Sequence, residues 1–372
     1  MHRSILGTDV FVVGGGPSGL AAAIAARRSG FSVVLADPAR PPIDKACGEG
    51  IMPDGVAALV ELGIHLPGDQ AAPFHGIRFR DHAHSVAAHF AQGHGLGVRR
   101  TVLHQALVDA ATRAGVELHW GTRVLGLTRD GVLLRNRETR CRWVVGADGL
   151  NSRVRSWAGF DENRTHALRF GHRSHYPVRP WSDLVEVHWT RNGQLYVTPV
   201  SEREICVALV TRDRSLRMKE AMAGCSSLPV ELREALPSTR EQGAITVNRR
   251  LQSVVRGNCL LLGEASGCVD AVTGQGLSLA FRQALALEKA LLAGDLRVYE
   301  RDHRRLMRLP TTMAGLMLLM DRRRNLRKRT LRAFSSQPEL FGRLLAIHTG
   351  PASLLDFGLR GATSLGWRML TA

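Results

Sequence analysis

Short apolar runs and a small-residue helical pattern alternate at the start of the chain. Residues 9–13 predict a buried strand, residues 14–19 a tight glycine turn, and residues 20–29 an Ala-rich helix stopped by Gly30, a natural C-cap. Residues 31–35 form a second apolar run, followed by Asp37. This is one βαβ unit, the opening of a doubly wound parallel sheet. Residues 38–50 read as a Pro- and Gly-rich loop and residues 53–62 as a helix.

Residues 76–91 alternate polar and apolar positions, as a half-exposed antiparallel hairpin does. Residues 101–114 predict an amphipathic helix, 116–120 a strand, and 142–148 a return of the buried parallel pattern. Alternating runs at 184–190, 194–200 and 204–211, separated by polar turns, predict an antiparallel meander. The parallel pattern resumes at 259–263, followed by a Gly-rich loop and a helix at 277–292. The expected fold is therefore α/β. A discontinuous nucleotide-binding domain (1–75, 96–165 and 245–296) carries an inserted antiparallel β-rich substrate domain (76–95 and 166–244), with a basic helical region at 297–372.

Composition narrows the function. The 372 residues suit about two domains. Lys and Arg number 50 against 33 Asp and Glu, a net charge of +17 that favours anionic partners such as phosphorylated cofactors or lipid headgroups. Aromatics at 5% supply a poor stacking platform for single strands, so no nucleic acid is expected. The six cysteines form no C-x-x-C pair, which suits reduced thiols in the cytoplasm. The apolar stretch at 10–26 is interrupted by glycines, unlike an export signal, and the block at 309–320 contains Pro310 and is too short to span a bilayer. Residues 297–343 hold 13 Lys/Arg and 4 Asp/Glu, with Arg301, Arg304, Arg305 and Arg308 on one helical face. The apolar run 316–320 beside Arg322–Arg324 predicts peripheral contact with the inner face of a membrane, or a solvated face over a packed helix.

Chemistry enters with the glycines. Gly14, Gly16 and Gly19 satisfy G-x-G-x-x-G between a strand and a helix, with Pro17 and Ser18 inside the turn as further cofactor-binding candidates. Gly14 permits the turn, Gly16 lets the backbone approach a pyrophosphate, and Gly19 allows helix to pack on strand. Asp37 ends the next strand, placed to accept from a ribose hydroxyl. Two further motifs follow: Gly146-Ala-Asp-Gly-Leu-Asn-Ser-Arg-Val-Arg155, and Gly263-Glu-Ala-Ser-Gly267 with Thr273-Gly-Gln-Gly-Leu277.

These three motifs in this order resemble the flavoprotein superfamily of para-hydroxybenzoate hydroxylase, squalene epoxidase, flavin-dependent halogenases and geranylgeranyl reductases. The resemblance covers residues 9 to about 292. It implies FAD in an extended form beneath a substrate domain. It implies that Asp148 and Gly149 lie near the pyrophosphate, and that Glu264, where the family usually has Asp, bonds the ribityl chain. The amides of Gly274, Gln275, Gly276 and Leu277 would sit by the flavin N1/O2 edge. Arg100, followed by Leu103 and Leu107, would reach phosphate or ribityl oxygens, with Arg99 as the next candidate.

The loop from Lys45 to Gly50, with its C-G-E-G form, is closer to the geranylgeranyl reductase branch and would run beside the isoalloxazine. Cys47 either faces the flavin or fills a turn, and Glu49 is either an acid/base or a loop carboxylate. Tyr196 either faces substrate or sits in the core. His82, His84, His89 and His94 have the spacing of one strand face without a completing Cys or carboxylate, so no metal is expected. No second G-x-G-x-x-G and no W-x-W-x-I-P occur, which sets aside disulfide reductases and tryptophan halogenases. The expected activity is NAD(P)H-dependent monooxygenation of a lipophilic or polyketide-like molecule through a flavin C4a-hydroperoxide. The alternative is reduction of isoprenoid double bonds.

Overall fold

A computed structural model of the chain describes residues 7–135, 137–160, 162–163 and 168–350. The part of the expected C-terminal region beyond residue 350 lies outside these. Its first layer is a parallel sheet built on Thr8–Val13, whose neighbours are Val33–Asp37 on one side and Glu138–Gly146 on the other. Glu117–Trp120 and Cys259–Leu261 extend it in parallel on the two flanks. Val10, Phe11 and Val12 are fully buried, as strands covered on both faces must be. Helix Pro17–Arg28 packs closely because its buried face is largely alanine, and helix Gly276–Ala293 lies against it.

This topology brings the motifs together. The fingerprint turn follows Val13, Asp37 closes its strand, Asp148 follows Gly146, and Gly263 follows Cys259–Leu261. All four are at the carboxyl ends of parallel strands, where open α/β sheets bind ligands.

The second layer is a seven-stranded sheet in the order Gln242–Thr246, Arg169–Tyr176, Glu204–Thr211, Gly193–Ser201, Leu184–Trp189, Gly76–Arg80, Ser85–His89. The expected hairpin and meander are both in it, joined by a parallel pairing of Gly76–Arg80 with Leu184–Trp189. That pairing was not legible in the sequence. Residues 81–84 form the hairpin turn, so His82 and His84 are off the strand face the spacing implied; His84 instead contacts Asp81 at 3.2 Å. Helices Leu296–Arg322, Arg324–Ser336 and Pro338–His348 close over the sheet. Trp189, Met320, Leu331, Phe334 and Phe341 share one buried cluster beneath them. No helix of the described residues is long and apolar enough to cross a membrane.

Candidate active site

One cavity of about 860 Å³ runs from the fingerprint turn, past the second sheet, to the C-terminal helices. Its wall includes Gly14, Gly16, Pro17, Ser18, Asp37, Lys45, Cys47, Glu49, Arg100, Asp148, Gly149, Tyr196, Glu264, Gly274, Gly276 and Leu277. Residues distant in sequence and singled out for chemistry therefore share one space. Gly19, Gly263 and Gln275 do not line it.

At one end is a cradle for an anion. A Cβ on Gly14 would lie 2.4 Å from the Ala147 carbonyl oxygen, and one on Gly19 1.8 Å from that of Gly14, so both are glycine for close packing. Gly16 differs. A Cβ there would point into the cavity, with the Arg100 Nη2 nearest at 3.9 Å. Arg100 Nε is buried and lacks a hydrogen-bond partner among the described residues. An unpartnered guanidinium nitrogen beside a helix N-terminus calls for negative charge. Asp37 shapes the same turn, accepting from the Gly15 and Ala39 amides, each at 2.7 Å.

His104 supports this turn and was missed by the sequence reading. Its Nδ1 accepts from the Ile43 amide at 3.4 Å, so Nε2 carries the proton and donates to the Gly15 carbonyl at 2.8 Å. Burial lowers its pKa, keeping it neutral. The available signal was its place one residue after Leu103 on the buried face of helix Arg100–Arg113.

The remaining candidates each make local contacts. Gly263 is a packing residue, because a Cβ there would meet Ser18 Oγ at 2.3 Å. The Gln275 side chain turns away, its Nε2 donating to the His348 carbonyl at 2.6 Å, which docks helix Pro338–His348 on the 274–277 turn. The Asp148 carboxylate is committed to the helix Arg153–Trp157, accepting from the Arg153 amide at 2.7 Å and the Val154 amide at 3.1 Å. Arg99 is bound to Glu204 by Nε at 2.6 Å, and of the two neighbours only Arg100 lines the cavity. Glu264 meets Lys45 Nζ at 2.8 Å on the wall, so these two cavity residues act as a pair.

The three candidate catalytic residues occupy different settings. The Tyr196 hydroxyl is 2.8 Å from Gln194 Oε1 and 3.0 Å from the Val272 carbonyl, and burial pushes the phenol far above its usual range. It is a half-buried residue of the cavity wall. Cys47 is half-buried on the wall; burial raises its thiol pKa, opposed by Arg100 and reinforced by Glu49. Glu49 is fully enclosed. Its Oε1 accepts from the Arg100 amide at 2.9 Å and its Oε2 from His175 Nε2 at 2.6 Å. His175 Nδ1 is 2.9 Å from Thr239 Oγ1 and 3.3 Å from Arg173 Nη1. Cys206 joins this group: Glu49, His175 and Cys206 each offer a donor atom, all within 4.8 Å of one another. Arg173 and His175 come from a strand that no apolar alternation announced.

The site fits FAD. The cradle holds a cation without a partner, a glycine open to the cavity and a carboxylate at the end of the second strand. The chain belongs to the FAD binding domain family, matching it over residues 7–294, and it is an FAD-dependent oxidoreductase. It is 28% identical over 317 residues to the menaquinone reductase of Mycolicibacterium smegmatis, covering 77% of this chain and 76% of the relative. It is 27% identical over 343 residues to the 6-methylpretetramide 4-monooxygenase of Streptomyces rimosus, covering 77% and 76%. In fold it matches a flavoprotein/dehydrogenase of Cytophaga hutchinsonii with a TM-score of 0.83, 18% identity and 98% of each chain. Its relatives divide between reductases and monooxygenases.

Proposed function

We propose that this chain is a flavin-dependent reductase of a lipophilic, polyprenyl-type substrate, with NAD(P)H reloading the cofactor. The observation that carries the reading is a half-buried thiol, Cys47, on the wall of a cavity that continues into an apolar channel lined by Val185, Val187, Met317, Phe341 and Leu344; burial raises the pKa of this thiol. Reduction of a carbon–carbon double bond needs a hydride at one carbon, which reduced flavin would supply, and a proton at the other. Oxygen insertion makes no such call on a thiol.

Bound FAD would supply the electrons. Gly14, Gly16 and Arg100 would hold its pyrophosphate with the amides at the start of helix Pro17–Arg28, and Asp37 would take its ribose. Lys45 and Glu264 would meet the ribityl chain, and the amides at 274–277 would face the ring edge that becomes negative. Cys47 gives its proton to the substrate carbon and is reprotonated from water when product leaves. The apolar channel takes the isoprenoid chain and keeps water from the reacting carbons. In this reading the parallel sheet is the cofactor unit and the seven-stranded sheet the substrate unit.

Substrate entry is part of the same proposal. Leu316 and Leu319 line the cavity yet are 50% and 46% exposed, beside exposed Arg322, Arg323 and Arg324. Such a basic and apolar rim suits an anionic lipid surface. Flotation with anionic vesicles tests this contact, and failure to float at low salt would remove it.

Monooxygenation is the second reading, supported by the S. rimosus relative and by a cavity covered by sheet and helices, as oxygen transfer requires. Rapid-mixing spectroscopy under argon distinguishes the two. Enzyme reduced by NADPH should be reoxidised by a prenyl alcohol, which has no quinone ring to take the electrons, without oxygen. Flavin that stays reduced until oxygen is admitted would favour the monooxygenase.

A further inference from the structure

Glu49 has the one positive φ, +58°, recorded for a non-glycine residue among the described residues. A left-handed backbone at a non-glycine residue costs about 1–3 kcal/mol and persists where surrounding contacts over-determine it. Here those contacts are unusually complete. The Glu49 carbonyl accepts from the Val98 amide at 2.9 Å. Its carboxylate, with no exposed surface, receives the Arg100 amide and the His175 imidazole, with Arg173 Nε 3.7 Å away. The Arg173 guanidinium also binds Asp44 at the other end of the loop. The Glu49 amide in turn points at Cys47, 3.4 Å from its Sγ.

We propose that Glu49 is a positioning residue: its strained backbone and buried carboxylate hold the Cys47 side chain on the cavity wall and set the charge around it. Through Arg100 the carboxylate is tied to the cofactor cradle, and through His175 and Arg173 to the substrate sheet. Movement of either would be felt at the thiol. A buried anion beside a thiol disfavours the thiolate, while the Arg173 cation favours it. Glu49 and Arg173 therefore act on Cys47 in opposite directions. The groups facing this site are Asp44, Cys47, Glu49, Arg100, Arg173, His175, Glu204 and Cys206. This deepens the reductase reading, in which Cys47 must keep its proton until the substrate carbon takes it.

The test does not depend on turnover. Cys47 is the half-buried cysteine and the other five are buried, so iodoacetamide on the FAD-loaded protein reports on it, with mass spectrometry of the labelled peptide. Removing the anion in Glu49→Gln should shift the pH profile of alkylation downward and raise the rate at pH 8 about three- to tenfold, a tenfold change matching one pKa unit. Arg173→Gln should shift it upward and slow the reaction. If Glu49→Gln does not retain FAD, Arg173→Gln decides alone. Unchanged profiles, or two variants that both accelerate because the loop has loosened, would overturn the proposal. A thiol tuned as expected in an enzyme that reduces no prenyl substrate would leave this inference standing and remove the reductase reading.

Discussion

The imidazole of His104 holds the carbonyl of Gly15 at 2.8 Å, so a helix that begins with the cavity arginine also fixes the turn opposite it. One helix thus sets both sides of the anion cradle. Replacing His104 with Leu should leave the protein folded but weaken FAD binding, since a buried carbonyl loses its donor at a cost of about 1–3 kcal/mol. Fluorescence titration of apoprotein with FAD measures this. Equal affinity in the two proteins would show that the turn keeps its shape unaided.

Gly16 is open where its neighbours are packed. A Val side chain there would project toward Arg100, into the space left for the pyrophosphate. Gly16→Val should yield a folded protein without yellow colour. Stoichiometric FAD in the purified variant would contradict the assignment of the cradle.

The Lys45–Glu264 pair spans the cavity wall, about half exposed on both sides. Glu264→Asp should bind FAD as well as the parent or more tightly, having the acceptor length usual in the family. Glu264→Ala should weaken FAD binding by about 1 kcal/mol and leave Lys45 unpaired. Isothermal titration with FAD checks the order Asp, Glu, Ala; an Ala variant of unchanged affinity would show that the carboxylate serves only Lys45.

Stability on the acid side should report His303. This residue is on the buried face of helix Leu296–Arg322 with Nε2 2.9 Å from Ser266 Oγ, and burial lowers its pKa from 6.5 to about 4. A depressed folded value means the contribution is present above pH 6.5 and is lost as pH falls through about 4. Urea denaturation of His303→Gln and the parent should differ in their loss between those pH values by roughly 3 kcal/mol. Parallel pH dependences would show that His303 does not stay neutral in the fold.

What could be read from the sequence was what local spacing dictates. Gly14, Gly16, Gly19 and Asp37 declare themselves because turn, helix and strand end are adjacent in the chain. The meander declared itself through alternation. The strand Arg169–Tyr176 did not, because Arg169, Arg173 and His175 are polar and yet buried, each paired with a carboxylate far away in sequence. Polar residues on a buried face erase the period-two signal. Gly263 and Gln275 were found at the right turns, but the direction of a side chain depends on packing. For Gln275 that packing is helix Pro338–His348, more than sixty residues on.

The cavity is expected to complete the reduction of a carbon–carbon double bond without oxygen. The most direct measurement is the mass of the product formed from a prenyl alcohol, with NADPH, under argon and under ¹⁸O-labelled oxygen. The account predicts a product heavier by two hydrogens under argon, without label when oxygen is present. A product formed only with oxygen and carrying ¹⁸O would contradict it and make the enzyme a monooxygenase.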